Sequence, residues 1–454
     1  AGLRSGTPVT RIGRIEAGWR GFSPHLSLDG VEVTGPRGGP PLALPRVDAT
    51  LSWLSLASME PRFVALRLLA PEVSVVRLPD GSFTVAGFVI EAGKSESEGS
   101  AALDWLLAQN RIVVRDGHVV YRDDRGAEPL QFDLNDVNLI LEQSLGRHTM
   151  ALQALPTAEF AGPVDIRATM TTGAFARPSE VGRWKGKAFF ELDFVDLAQL
   201  SRQVPVPVQV EQAHGALRVW TDFEDGHVVR TTADVALQDV TARLAKELEP
   251  LRLASLQGRF TQRQWGDVWP VGRGGHEYGL TGTTFRTADG LTFPAMDLKL
   301  RRTRAAGSEP MRTALEASRI DLESLGAVLA HLPLPGDLYE RLARHALRGT
   351  LSGLSLAWSG DAYAASDVAL KTRFSGLSSA ALPAAADSAS TVGVPGFDNL
   401  SGSVRLDKGA GTLELAASDA TLVFPGVFEE PRLPLKQLLG TIQWKEGDTL
   451  EFRA

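Results

Sequence analysis

The chain has 454 residues, of which 43% are hydrophobic and 22% charged, and its formal net charge is −7. That composition suits a globular protein of two or three compact domains or one elongated one. The acidic balance disfavours a nucleic-acid partner, which calls for a basic patch or stripe. The absence of cysteine excludes disulfides, thiolate metal sites and cysteine nucleophiles.

No run reaches the 18 or so apolar residues of a membrane-spanning helix. The opening "AGLRSGTPVT" lacks a signal-peptide pattern, and "TLEFRA" at the end reads as a strand cut short. The expectation is therefore a fragment of a longer protein.

Period-2 patterning dominates from the N-terminus onward. In "WRGFSPHLSLDGVEVTG", Leu26 and Leu28 alternate, then Val31 and Val33, with Asp29-Gly30 between the pairs. Leu28 and Val31 share a face only if a bulge sits at Asp29-Gly30. The alternation continues through Leu66 and Leu68 and through Val73 and Val75. "VVRLPDGSFTV" predicts a hairpin about Asp80-Gly81, with Val76, Leu78, Phe83 and Val85 on one face and Arg77 and Thr84 on the other.

A polar linker, 93–100, precedes "SAALDWLLAQN", a predicted helix near 101–110 with Ser100 as its N-cap. "RIVVRDGHVVYRDD" then predicts a hairpin about Asp116-Gly117, placing Ile112, Val114, Val119 and Tyr121 on one face. "LNDVNLIL" (Leu134 to Leu141) and "LQDVTARL" (Leu237 to Leu244) rewrite the first phrase. Further turns are expected at Asp225-Gly226 and Asp289-Gly290. Short helices are expected near 196–204 and 320–346, opened by Asp196 and Asp321. Segment 378–396 is a small-residue, low-complexity loop.

The domain reading is continuous. Strands fill 1–92, resume over 101–377 with the three helical inserts, and resume again over 397–454, up to a truncated C-terminus. So few helices cannot cover so much sheet, and large apolar patches are rarely left bare. Three solutions exist: the sheet closes into a barrel, packs on a second sheet, or curls into a groove that holds an apolar ligand. Periodicity leaves these three open.

Catalytic constellations are sparse. "VGRGGHEYG" has Gly272-x-Gly274 but Glu277 where a third glycine belongs. His276-Glu277 begins a zinc-hydrolase motif that no second histidine completes. The eight histidines are scattered, no Gly-x-Ser-x-Gly elbow occurs, and the paired carboxylates of "FEEP" read as a solvated strand end. The expectation is no enzyme, no metal and no cofactor.

Both ends carry a resemblance. Gly6 to Val9, the strand Trp19 to Val33, "PRVDATL" from Pro45, "LRLLAPEV" from Leu66 and the Asp80 hairpin follow in an order that resembles the YhdP family of AsmA-like proteins. "SDATLVFPGVFEEPRLPLKQLLGTIQW" resembles that family's C-terminal segment, and the middle fits more loosely through "FDLNDVNLIL" and the Asp-Leu helices.

The resemblance implies a mostly β, elongated and twisted antiparallel meander curled into an open hydrophobic groove. It implies a protein anchored in the inner membrane of a Gram-negative bacterium by a segment not present here. Projecting into the periplasm, such a protein carries phospholipid by its acyl chains towards the outer membrane and supports the permeability barrier. The groove residues expected on this basis are Leu26, Leu28, Val31, Val33, Leu66, Leu68, Val73, Val75, Ile112, Val114, Val119 and Tyr121. The alternative is a sandwich-like scaffold or binding module in the cell envelope that conducts no lipid.

Overall fold

A computed structural model describes residues 9–453 apart from 36–39, 54, 56–60, 91–97, 126–128, 158–160, 174–176, 179, 203–207, 267–273, 304–309, 333–335, 361–364, 385–391 and 446–450. Strand makes up 71% and helix 8%, so the fold is mostly β, as the alternating pattern predicts. The chain forms two compact units, 1–196 with 215–231, and 197–214 with 232–454.

In the first unit the strands are β1 (Val9–Arg20), β2 (Ser23–Thr34), β3 (Leu42–Leu51), β4 (Phe63–Leu69), β5 (Glu72–Arg77), β6 (Phe83–Val85), β7 (Phe88–Ile90), β8 (Arg111–Asp123), β9 (Leu130–Ser144), β10 (Arg147–Pro156), β11 (Val164–Thr171) and β12 (Lys185–Asp196). Helix α1 (Glu98–Leu107) links β7 to β8. Its start at Glu98 places Ser100 inside the helix and not at its cap.

The hairpin of β13 (Gln209–Glu224) and β14 (His227–Arg243) gives its tip to the first unit and its base to the second. The second unit continues with β15 (Leu251–Trp265), β16 (Gly275–Thr287), β17 (Thr292–Thr303), β18 (Arg312–Asp321), β19 (Arg348–Ser359), β20 (Ser366–Ser379), β21 (Gly396–Asp407), β22 (Ala410–Val423), β23 (Arg432–Lys445) and β24 (Glu451–Arg453). Its helices are α2 (Leu197–Ser201), α3 (Leu322–Val328) and α4 (Gly336–His345). Asp321 caps α3, its carboxylate accepting the Ser324 amide at 2.8 Å.

Neighbours from β15 to β24 pair antiparallel in chain order. The first unit departs from a pure meander, because β8 runs parallel to both β4 and β5. A parallel pair needs a long crossover, and the connection through α1 supplies it. Residues 93–97 of the expected linker lie outside the described residues, as do 385–391 of the low-complexity loop. The ends of that loop meet in a bridge between Leu382 and Val394.

One local device recurs through both units. An apolar residue is followed by an outward residue, then by a residue with φ near +50°, then by a second inward position. Leu28 to Val31 (Gly30, φ 63°), Leu134 to Val137 (Asp136, 48°), Leu237 to Val240 (Asp239, 49°), Phe397 to Leu400 (Asn399, 59°) and Ala417 to Ala420 (Asp419, 52°) all follow it. Residues three apart on a regular strand face opposite ways. The left-handed residue adds one outward step, so both apolar residues stay on one face. Glycine, aspartate and asparagine tolerate that conformation best, which explains why the phrase is rewritten with Asp, Asn or Gly in third place.

The same device corrects the Asp116-Gly117 expectation. Asp116 has φ 53°, yet β8 runs straight through it as one strand, with register shifts between Val114 and Val119. An Asp-Gly pair inside a strand serves the switch as well as it serves a turn. Facing it, Ala70 (φ 47°) divides β4 from β5. A Cβ added to Gly117 would approach Pro71 Cγ at 3.3 Å and the Val137 carbonyl oxygen at 3.3 Å. Three switches thus meet at one level of the sheet.

The Asp80-Gly81 hairpin forms, but Val75 pairs with Val85 and Arg77 with Phe83. Leu78 donates its amide to the Ser82 carbonyl at 2.8 Å, leaving a three-residue loop. The odd loop flips the parity, so Arg77 shares a face with Phe83, its guanidinium 5.3 Å from that ring. Val76 pairs with Thr84 on the other face. Two-residue turns with positive φ at both positions occur instead at Leu145-Gly146, Asp225-Gly226 and Lys408-Gly409.

Candidate functional site

The apolar face of the first unit is the largest feature that the switches organise. Val31, Leu44, Val47, Ala49, Leu66, Ile112, Leu141, Ala168 and Met170 form one buried seam from β2 to β11, joined by Leu107 of α1 and by Trp184. Register lays apolar residues side by side along and beside it. Leu28 faces Val47, Val47 faces Leu68, Leu68 faces Val114, and Val114 faces Leu139. The row below runs Leu26, Ala49, Leu66, Ile112, Leu141.

Seven of the twelve expected groove residues belong to this seam. Val31, Leu66 and Ile112 are its buried centre, 6%, 7% and 3% exposed, and Leu26, Leu28, Val33 and Leu68 pack against it half-buried. Val114 is buried one step along β8. Val73, Val75, Val119 and Tyr121 lie beyond the Ala70 and Asp116 switches, where Val73 pairs with Val119 and Val75 with Tyr121. They are half-buried and outside the seam.

That far end turns polar. The Tyr121 ring lies 5.0 Å from Phe132, and its hydroxyl donates to Asp123 at 3.5 Å. Burial, and then the Asp123 charge, push the phenol pKa up. Asp123 is gripped by Arg125 through Nε–Oδ1 at 3.0 Å and Nη2–Oδ2 at 2.8 Å. Those bonds outweigh burial and hold its carboxyl below the usual range.

The chain's periodicity gave no sign of the cover over one end of the seam. The C-terminus of α1 is fixed to β4 by Gln109, whose side chain accepts the Phe63 amide at 2.7 Å and donates to the Trp105 carbonyl at 2.6 Å. Leu103 and Leu106 pack on the seam from this helix. At another edge Trp184 stacks on the buried His148, 5.6 Å between ring centres and 6° between planes. Burial lowers the His148 pKa.

The second unit holds two smaller apolar clusters. One gathers Ala213, Leu237, Val240 and Leu253, and the other Phe374, Leu400, Ala417 and Ala420. Around the latter, Leu351, Leu377, Phe397, Leu413, Leu415, Leu422 and Leu438 remain only half-buried. No expected groove residue comes from this unit, although the signal that located the first seam recurs there.

The polar constellations resolve into structural pairs. Burial raises the Glu277 pKa, but Arg301 (2.6 Å) and Lys299 (3.4 Å) outweigh it and leave the carboxyl lowered. His276 stacks on Tyr278. His25, Ser27 and Asp48 gather on β2 and β3, yet Ser27 donates to Asp48 at 2.8 Å, and both lie on the Nε2 side of the imidazole. A hydrolytic triad needs serine and aspartate on opposite ring nitrogens. Among the described residues no group of His, Asp and Glu is placed to hold a metal ion, and no helix is long and apolar enough to cross a membrane.

Neither the curated proteins nor the solved structures gave a match to this chain. The family described as YhdP protein matches residues 4–453, nearly the whole length, and it embraces both the N-terminal strands of the seam and the C-terminal strands of the second unit. The chain belongs to the YhdP family.

Proposed function

We propose that this chain is the periplasmic part of a bridge-like carrier that moves phospholipid between the inner and outer membranes, holding the acyl chains against its apolar sheet face. Family membership supports a lipid-related role in the bacterial envelope. The observation that carries the reading is the apolar face around Phe374 and Leu400, which stays half-exposed along five strands with no helix or second sheet in its cluster among the described residues. A sandwich core would bury those leucines. Each acyl methylene taken from water is worth about 0.8 kcal/mol, so such a face solvates a lipid tail without a specific site, and sliding costs little. The chemistry is non-enzymatic and needs no cofactor. Its partners are the lipid tails and the two membranes.

The test is photo-crosslinking in cells at Leu415 and Leu438, with Glu414 and Gln437 as neighbours of opposite parity. Lipid adducts at the two leucines and not at the controls are expected. Adducts at none of the four positions would leave the envelope scaffold as the better reading.

A further inference from the structure

The opposite face of the second unit holds a feature that the apolar face does not explain. Between β19 and β23 the sheet encloses a concavity of 640 Å³ lined by polar side chains. Lys371, Arg373 and Arg405 supply its charge and Ser352, Ser403 and Thr412 its hydroxyls. Register makes this one surface, for Ser352 faces Arg373, Arg373 faces Ser403, Lys371 faces Arg405, and Arg405 faces Thr412. A Cβ added to Gly353 in its floor would meet nothing within 4 Å.

The three cations stand together without a carboxylate partner. Other cross-strand arginines of the unit find one, as Arg259 does in Asp234, Arg301 in Glu277 and Arg432 in Asp398. Lys371, Arg373 and Arg405 make no ion pair among the described residues. Glu414, the one carboxylate in the lining, accepts from Ser403 at 3.0 Å instead. Like charges directly opposite one another weaken a sheet, so the Lys371–Arg405 juxtaposition is a cost that a bound anion removes.

We propose that this concavity binds a phosphate group, carried by a lipid headgroup or by free phosphate. Two arginines and a lysine neutralise the charge, and the three hydroxyls donate to the remaining oxygens. The site lies on the face away from Phe374 and Leu415, and it stands whether or not lipid tails occupy that apolar face.

The test is a binding and thermal-shift series on the whole chain at constant ionic strength, with inorganic phosphate, short-chain phosphatidylglycerol and a phosphate-free short-chain glycolipid. Phosphate or phosphatidylglycerol is expected to bind and raise the Tm in a manner that needs Arg373 and Arg405, whereas any glycolipid bound by its tails on the apolar face is expected to be indifferent to both arginines. Comparable binding of phosphate and lipid assigns free phosphate, whereas binding of the lipid alone assigns a headgroup. Arg373→Gln and Arg405→Gln are each expected to weaken binding by about tenfold. Lys371→Gln is expected to weaken binding while leaving or raising the Tm of the ligand-free protein, and Glu414→Gln to tighten binding. The proposal is overturned if neither phosphate probe binds, if Arg373→Gln and Arg405→Gln weaken the glycolipid as much as phosphatidylglycerol, or if the glutamine variants bind the phosphate probes like the parent chain.

Discussion

In the first unit α1 lays Leu103, Leu106 and Leu107 on the seam that contains Leu66 and Ile112, whereas the cluster around Phe374 and Leu400 is made of strand residues alone. Both faces arise from the same alternation and the same left-handed switches. They differ in cover. Among the described residues the first seam has eleven buried members, and the second unit's two clusters have four each. One sheet pattern therefore serves two ends. Where a helix and Trp184 close over it, the face is a folding core, and where no described residue covers it, the face is the one that the proposed function assigns to lipid tails.

Charge insertion separates the two most sharply. Leu66→Asp and Val114→Asp place a carboxylate among buried neighbours, and the unpaired charge is expected to cost several kcal/mol and to unfold the first unit. Leu415→Asp, on a half-buried strand position, is expected to leave the fold intact by circular dichroism and to abolish lipid crosslinking. Truncation grades the same contrast. Ile112→Ala is expected to cost about 2–4 kcal/mol in urea unfolding, and Leu415→Ala only about 1 kcal/mol. Equal losses at Ile112 and Leu415 would mean that the second face is an ordinary core.

The sequence carried a good deal of this. The mostly β class follows from the alternation, and the order of motifs at the two ends pointed to the family. The alternation also placed Val31, Leu66 and Ile112 among the inward residues, because a buried face imposes period 2. What it could not carry was the cover. Gln109 acts on the Phe63 amide 46 residues away, and no local pattern encodes such a contact. The parallel pairing of β8 was hidden for the same reason. Asp116-Gly117 misled because the dipeptide favours positive φ both in a turn and in mid-strand, and only the partner strands decide between them. The odd loop after Leu78 flipped the Val76 face through a single residue of register.

The switches should behave alike in both units, since they depend on backbone conformation and not on cover. Asp136 and Asp419 both sit at positive φ and are exposed. Asp136→Val and Asp419→Val are expected to cost about 1–2 kcal/mol, because a β-branched side chain resists the left-handed region. Asp136→Gly and Asp419→Gly are expected to change stability by less than about 0.5 kcal/mol. Matching losses for valine and glycine would show that the side chain, and not its conformation, is what the position requires.

One pH-dependent effect belongs to the covered seam alone. His148 is 1% exposed beneath Trp184, its Nδ1 has no hydrogen-bond partner among the described residues, and burial holds its pKa below the usual 6.5. With the folded pKa depressed, the unfolded chain takes up the proton first as pH falls. The neutral imidazole therefore contributes stability that is complete above about pH 6.5 and is lost as pH falls towards the folded value. His148→Phe keeps the stack on Trp184 and removes the titration, so it is expected to flatten the pH dependence of unfolding below pH 6.5. The limit for one group is about 1.4 kcal/mol per pH unit. An unchanged slope in urea titrations at pH 5.5 and 7.5 would place the proton uptake elsewhere and leave Trp184 as a cover that packs without excluding charge.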